Sequence, residues 1–234
     1  MSKHVIITGG SRGIGKALAL QFASQGCHLS LCARNEVALY QSVETLQTRF
    51  PSCTVRGRVA DLSKQEEVLS FAAWCLQFAV PDVLVNNAGV FAPGQVHLEP
   101  EGQLDAQLAV NLYSAYHLTR ALLPAMKQRG TGHIFNMCSI ASVQAYPNGG
   151  SYGISKFALY GFSKNLREEL RPAGIKVTAV LSGAVLTESW GDFDNSANRI
   201  MIPEDIARLV ATAADLSPAA CVEEIIIRPQ QGDL

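Results

Sequence analysis

"VIITGGSRGIGKALALQFA", residues 5–23, runs from an apolar, strand-like stretch through a glycine-rich turn into an amphipathic helical pattern. Gly9, Gly13 and Gly15 stand between the first strand and the first helix. Glycines there permit a tight turn and a close approach of backbone to a pyrophosphate. The helix N-terminus adds unpaired N–H groups and a positive dipole end. A glycine turn alone is a weak signal; its place after strand one and before a helix gives it weight. The spacing T-G-x-x-x-G-x-G is one residue longer than the commonest dinucleotide fingerprint. Ser11, Arg12 and Ile14 join the three glycines as candidate cofactor contacts.

Outward from this turn the same alternation repeats. Strand-length apolar runs fall at 4–9, 28–33, 54–60, 82–88, 132–138, 175–181 and 223–229, with helical patterns at 13–25, 35–49, 64–78, 104–129, 152–171 and 203–215. Repeated strand–helix–strand units predict a parallel sheet with helices on both faces, an α/β fold. No linker, repeat or low-complexity segment interrupts the pattern, so residues 1–234 are expected to form one domain. The stretch 187–202 is the least patterned and reads as a loop or short helices. Segment 104–128 is apolar around much of its circumference, so a surface besides the sheet is expected to cover it.

A hydrophobic content of 48% against 17% charged residues points to an ordered globular chain. Net charge is near zero with no basic run, which argues against a nucleic-acid or anionic-membrane surface. No apolar stretch reaches membrane-spanning length, and the N-terminus lacks the form of a signal peptide. The six cysteines and five histidines are scattered, so buried thiols in a reducing compartment are expected and a metal site is not. These features together predict a cytoplasmic protein.

At the end of strand two the chain reads "LCAR", presenting Arg34 and no acid. A basic residue at this place suits a ribose 2′-phosphate, and Arg12 in the glycine turn can approach the same spot, which favours NADP(H) over NAD(H). Glu36 is better placed as a first-turn helix acid. Asp61-Leu62 follow strand three, where an acid could accept a bond from adenine or simply belong to the next helix start. Tyr152 and Lys156, four apart, share one helix face in small, apolar company.

Thr8-Gly9-x-x-x-Gly13-x-Gly15, Asn86-Asn87-Ala88-Gly89, Asn111, Ser139, Tyr152-x-x-x-Lys156 and Gly183-Ala184-Val185-Leu186-Thr187 occur in this order. The chain resembles the short-chain dehydrogenase/reductase family over essentially its whole length. That resemblance implies a Rossmann-type, doubly wound, seven-stranded parallel sheet in order 3-2-1-4-5-6-7. It also implies hydride exchange between a nicotinamide nucleotide and a carbonyl or alcohol. By the same resemblance Asn87, Ala88 and Gly89 floor the adenosine site, Gly183, Val185 and Thr187 belong to the nicotinamide side, and Lys156 bonds the nicotinamide ribose beside Tyr152. Homo-oligomers, dimers or tetramers built on the helices 104–129 and 152–171, are implied as well. Ser182-Gly183 stands where the family usually has Pro-Gly, so the loop that follows is expected to be more mobile or differently set.

In chemical terms Tyr152 is the expected general acid or base. Its phenol pKa near 10 is to be lowered by the Lys156 ammonium and by an oxidised nicotinamide. Ser139 is expected to hold the substrate oxygen, or else to cap backbone at a strand end. Asn111 resembles a residue that keeps a water in line with the lysine, or else bonds backbone within its helix. The substrate is a small-molecule carbonyl or alcohol, with walls expected from 140–150 and 187–202, including Tyr146, Trp190 and Phe193. The short loop and the brief tail after strand seven suggest an open site. A 3-oxoacyl-carrier-protein reductase, a sepiapterin-like or general carbonyl reductase, a sugar-nucleotide epimerase and a non-catalytic NADP sensor are the alternatives weighed. The epimerase normally needs a larger substrate domain.

Overall fold

The computed structural model describes residues 2–233, apart from the side chain of Ser189. Seven strands form one parallel sheet: β1 (His4–Thr8), β2 (His28–Ala33), β3 (Val55–Val59), β4 (Val83–Asn86), β5 (Gly132–Met137), β6 (Ile175–Ser182) and β7 (Glu224–Ile227). Their order is β3-β2-β1-β4-β5-β6-β7, as the family resemblance implies. The register pairs Val5 with both Leu29 and Val83, and Asn86 with Asn136. Seven α-helices accompany them: α1 (Gly13–Ser24), α2 (Glu36–Arg49), α3 (Gln65–Leu76), α4 (Gln103–Leu108), α5 (Ser114–Arg129), α6 (Gly150–Leu170) and α7 (Pro203–Asp215).

Successive strand residues point to opposite faces, and this sorts the core into two layers. Val5, Ile7, Val83, Val85, Phe135 and Val180 pack on one side with residues of α1, α2 and α7. Ile6, Leu84, Ile134 and Val177 pack on the other with residues of α3, α5 and α6. A buried polar chain ties α6 to the sheet. Asn86 Nδ2 donates to Asn136 Oδ1 at 2.8 Å, and Asn136 Nδ2 donates to Ser163 Oγ at 2.8 Å. Five of the six cysteines are buried and free, as expected for small core residues, whereas Cys221 is exposed.

The expected long helix 104–129 is broken. A π-helical turn, Ala109–Tyr113, separates α4 from α5 and centres on buried Asn111. Periodicity does not reveal such a turn here, because the segment is apolar around much of its circumference and shows no sharp phase to break. One flank of α4–α5 faces the core. Leu104, Tyr113 and Tyr116, with Ile154 and Phe157 of α6, remain exposed. The stretch 187–202 holds a three-residue 3-10 turn, Glu188–Trp190, followed by irregular chain.

Candidate active site

The predicted residues gather at the carboxyl ends of the central strands, where strand order reverses and open α/β sheets bind ligands. The glycine turn lies between β1 and α1. Gly9 has φ +67° and Gly13 φ +49°, the left-handed region that glycine tolerates. At Gly15 a Cβ would stand 2.0 Å from the Gly9 carbonyl oxygen and 2.6 Å from Asn87 Nδ2. Asn87 supports the turn from below, its Nδ2 donating to the Thr8 carbonyl at 2.8 Å. The Thr8 hydroxyl accepts from the amides of Asn87 and Ala88, each at 2.9 Å. No side chain caps α1, and its first turn holds no acid. The uncapped N–H groups and the dipole therefore present a seat for an anion. The cradle closed to any Cβ and the uncapped helix end both fit a dinucleotide pyrophosphate.

Arg12 is the exposed N-cap residue of α1, and Ser11 lines a cleft beside it with Lys16, Gln41, Ser42 and Thr45. Lys16 also lines a second cleft of about 370 Å³ that includes Gly13, Thr187 and Glu188. The motif reading passed over this lysine; its spacing of four from Arg12 was the available signal. Neither cleft includes Tyr152. Ile14 packs on the core edge. Arg34 is exposed at the end of β2, and Glu36 is a first-turn acid of α2 behind an Asn35 cap, the position expected for it. Burial opposes ionisation of Asp61, yet the Ser63 hydroxyl and amide and the nearby Arg34 charge hold its carboxyl below the ordinary range. The Leu62 side chain is buried in the core, so only its backbone is available to a ligand.

Across the crevice stand Ser139, Tyr152 and Lys156. Ser139 follows β5 and caps the backbone of the short turn after it, one of the two roles the sequence left open. Its Oγ accepts from the Ala141 amide at 3.1 Å, and its hydroxyl lies near enough to the Tyr152 phenol to favour the phenolate. Lys156 is buried; its Nζ donates to the Met137 carbonyl at 2.8 Å and lies 5.7 Å from the Tyr152 ring centroid. Burial raises the Tyr152 pKa, only partly opposed by the Ser139 hydroxyl, and burial likewise lowers that of Lys156. The expected depression of the phenol is thus not a property of the protein alone. Two desolvated groups each favour their neutral forms.

Gly89 leaves the space between the two polar groups beside it: a Cβ there would meet Asn111 Oδ1 at 3.3 Å and Lys156 Nζ at 3.7 Å. Asn111 does not bond the backbone of its own helix; it reaches across to the loop after β4 and to α6. Its Oδ1 accepts from the Val90 amide at 2.8 Å, while its Nδ2 donates to the Val90 carbonyl at 3.0 Å and to Ser155 Oγ at 2.9 Å. Phe91, which sequence reasoning missed, meets the Tyr152 ring edge-on, 4.8 Å between centroids at 84°. It lies in an unpatterned loop where no periodicity marks it. The Tyr146 phenol is pushed up to about 12 by burial and by the Tyr152 charge. Trp190 and Phe193 pack on each other with centroids 5.2 Å apart.

After β6 the loop is held by pairing. Gly183 N donates to Ile227 O at 2.8 Å, and Val185 bridges Met201 through the Leu186 amide and the Ala184 carbonyl. The bridge does not use Val185's own amide or carbonyl, and its side chain is in the core. Thr187 leans over the glycine turn, its Cγ2 3.1 Å from where a Gly13 Cβ would stand. The loop is therefore set by the neighbouring strand and residue 201, without the proline. Among the described residues no group of three or more His, Cys, Asp or Glu could hold a metal ion, and no helix is long and apolar enough to cross a membrane.

A doubly wound sheet with this crevice defines a Rossmann-type protein. The family model for short chain dehydrogenase matches residues 3–198, and the chain belongs to the short-chain dehydrogenase/reductase family, oxidoreductases acting on CH–OH groups. It is 34% identical to a sepiapterin reductase of Chlorobaculum tepidum, over 99% of this chain and 98% of that protein. Among solved structures, a metagenomic short-chain oxidoreductase in complex with NADP aligns with TM-score 0.85 and 33% identity, covering 97% of both chains. An alcohol dehydrogenase of Thermococcus sibiricus, complexed with 5-hydroxy-NADP, aligns with TM-score 0.93 and 28% identity over 100% of this chain and 99% of that one.

Proposed function

We propose that this oxidoreductase is an NADPH-dependent carbonyl reductase in which Tyr152 delivers the proton. The observation that carries the reading is the placing of Tyr152 and Lys156 one helical turn apart on one face, Lys156 Nζ 5.7 Å from the Tyr152 ring centroid, with the Ser139 side chain favouring the phenolate. The dinucleotide would be held by Gly9, Ser11, Arg12, Gly13, Ile14 and Gly15 at its pyrophosphate. Arg34, Asp61 and the Leu62 backbone would hold the adenosine end, and Asn87, Ala88 and Gly89 its floor. Gly183, Val185 and Thr187, with Lys156, would hold the nicotinamide end. When bound, it supplies the hydride.

The chain's own residues do the rest. Ser139 holds the substrate oxygen within reach of the phenol and stabilises its developing charge. Tyr152, kept protonated by burial, gives its proton to that oxygen. The phenolate left behind is favoured by the Lys156 ammonium. Complexes of two structural relatives with NADP or its 5-hydroxy derivative support the cofactor reading, as does the exposed Arg34. The likeness to a sepiapterin reductase, with the aromatic Phe91 against Tyr152 and Tyr146 nearby, favours sepiapterin or another planar conjugated ketone as substrate. The exposed apolar face of α4–α6 favours a homo-oligomer.

An NADPH-consumption assay over aldehydes, ketones, 3-oxoacyl thioesters and sepiapterin tests the reading. Turnover is expected with at least one carbonyl class. Tyr152→Phe should lower it by roughly 10²–10⁴-fold while NADPH binding, followed by fluorescence, persists. Robust turnover in that variant removes Tyr152 from the proton's path.

A further inference from the structure

We propose that Glu99 is a positioning residue for this reaction, tying the wall of the substrate cleft to the first turn of the helix that carries Tyr152; this rests on Tyr152 being the proton donor. Helix α6 opens without a cap of its own. Its N-cap is Gly149 and its first residue Gly150, and no local side chain accepts from its N–H groups. An uncapped start leaves donors unpaired. The acceptor comes from far upstream in the chain. Glu99 Oε1 accepts from the Ser151 amide at 2.8 Å, and Glu99 Oε2 accepts from the Ser151 hydroxyl. A carboxylate at a helix N-terminus is favoured by both charge and hydrogen bonding. Tyr152 is the next residue.

The surrounding backbone is shaped to admit this carboxylate. Gly150 has φ +38°, and a Cβ on it would stand 2.1 Å from Glu99 Oε1 and 2.4 Å from the Gly94 carbonyl oxygen. A Cβ on Gly94 would stand 2.9 Å from Glu99 Cγ. Gly94 N donates to Asn148 O at 3.0 Å, so segments 94–99 and 148–151 interlock.

The same strap begins at the site. Val90 is held by Asn111, Phe91 lies edge-on to Tyr152, and the Ala92 carbonyl accepts from Gln107 Nε2 at 3.1 Å. Residues 90–99 therefore touch the Tyr152 region twice, by Phe91 on the ring and by Glu99 on the preceding residue. Releasing Glu99 frees the far end of the strap and loosens Phe91 against the ring. A cap that only stabilised the helix would not change substrate affinity.

Glu99→Ala and Glu99→Gln in the full chain test this, at saturating NADPH with the best carbonyl of the panel. Glu99→Ala is expected to raise KM about five- to tenfold, the scale of one lost hydrogen bond holding the strap against Tyr152, with NADPH affinity kept within about twofold. Hydrogen exchange should rise in 90–99 and 149–153 together. Glu99→Gln, which keeps acceptor oxygen without charge, should fall between. An unchanged KM in Glu99→Ala, or exchange that rises in only one of the two segments, overturns the proposal. Turnover surviving Tyr152→Phe would instead remove the proton donor, whereas unchanged KM and exchange in the Glu99 variants leave the reductase reading intact.

Discussion

The carboxamide of Asn111 grips the backbone of Val90 at both of its polar groups, accepting from the amide at 2.8 Å and donating to the carbonyl at 3.0 Å. The pair mimics one rung of a sheet between a π-helical turn and the loop that carries Phe91. Removing the amide leaves Val90 and Ser155 short of partners in a partly buried place. Asn111→Ala should cost about 1–3 kcal/mol of unfolding free energy, read from urea melts, and should also slow carbonyl reduction. Asn111→Asp keeps the acceptor but loses both donations, so it should be no better. A variant as stable as the parent would show the contact to be idle.

Arg34 stands exposed at the end of β2, close enough to Asp61 to help lower that carboxyl's pKa. A ribose 2′-phosphate beside it would gain a charge-assisted partner, whereas a free 2′-hydroxyl would not. Arg34→Asp should therefore lower kcat/KM for NADPH and raise it for NADH, moving their ratio by tenfold or more, about 1.4 kcal/mol. The loss should shrink as salt rises. A ratio that does not move assigns the phosphate elsewhere, with Arg12 and Lys16 the next residues to change.

The sheet was legible because strand-length apolar runs alternate with helical periodicity along the whole chain, the first run closed by a glycine turn. Tyr152 and Lys156 stood out as a pair sharing one helix face, while Ser139 and the roles of all three came from the resemblance to the family rather than from local spacing. The π-turn at Asn111, the packing of Phe91 on Tyr152 and the cap by Glu99 were not legible. Each depends on a loop brought from elsewhere in the chain, and no local period encodes that meeting. The burial that raises the Tyr152 pKa was hidden for the same reason: it is a property of the assembled crevice.

Two histidines unrelated to catalysis should make the fold acid-labile. His4 bonds Ser30 at 2.9 Å and His133 bonds Thr178 at 2.7 Å, both inside the sheet. Burial depresses their pKa values from 6.5 to about 4 and about 3. A group depressed in the folded state contributes stability above its unfolded pKa and loses it as pH falls toward the folded value. The window is therefore from about 6.5 downward, through about 4 for His4 and about 3 for His133. Each should cost about 1.4 kcal/mol per pH unit within its window. Urea midpoints at pH 7 and pH 5 measure the slope, and His133→Asn should flatten it. Equal midpoints in the parent would mean that these rings are not held neutral.

Leu104, Tyr113 and Tyr116 of the α4–α5 segment and Ile154 and Phe157 of α6 form an apolar face that this chain leaves uncovered, with Phe157 47% and Tyr113 48% exposed. Scattered apolar residues need no partner, but several on two adjacent helices are the mark of an interface. A second copy is the occupant the proposed function names, since two such faces can pair about a two-fold axis with each burying the other. A stable contact of this kind buries roughly 1,600 Å², and a charge at its centre would be desolvated without a partner. Phe157→Arg should therefore give a single-chain mass in light scattering where the parent gives a multiple of it. Because Phe157 lies one residue beyond Lys156, the same variant should also be less active, whereas the parent should lose activity only on dilution. A parent that runs as a single chain at every concentration would leave this face without a partner of its own kind.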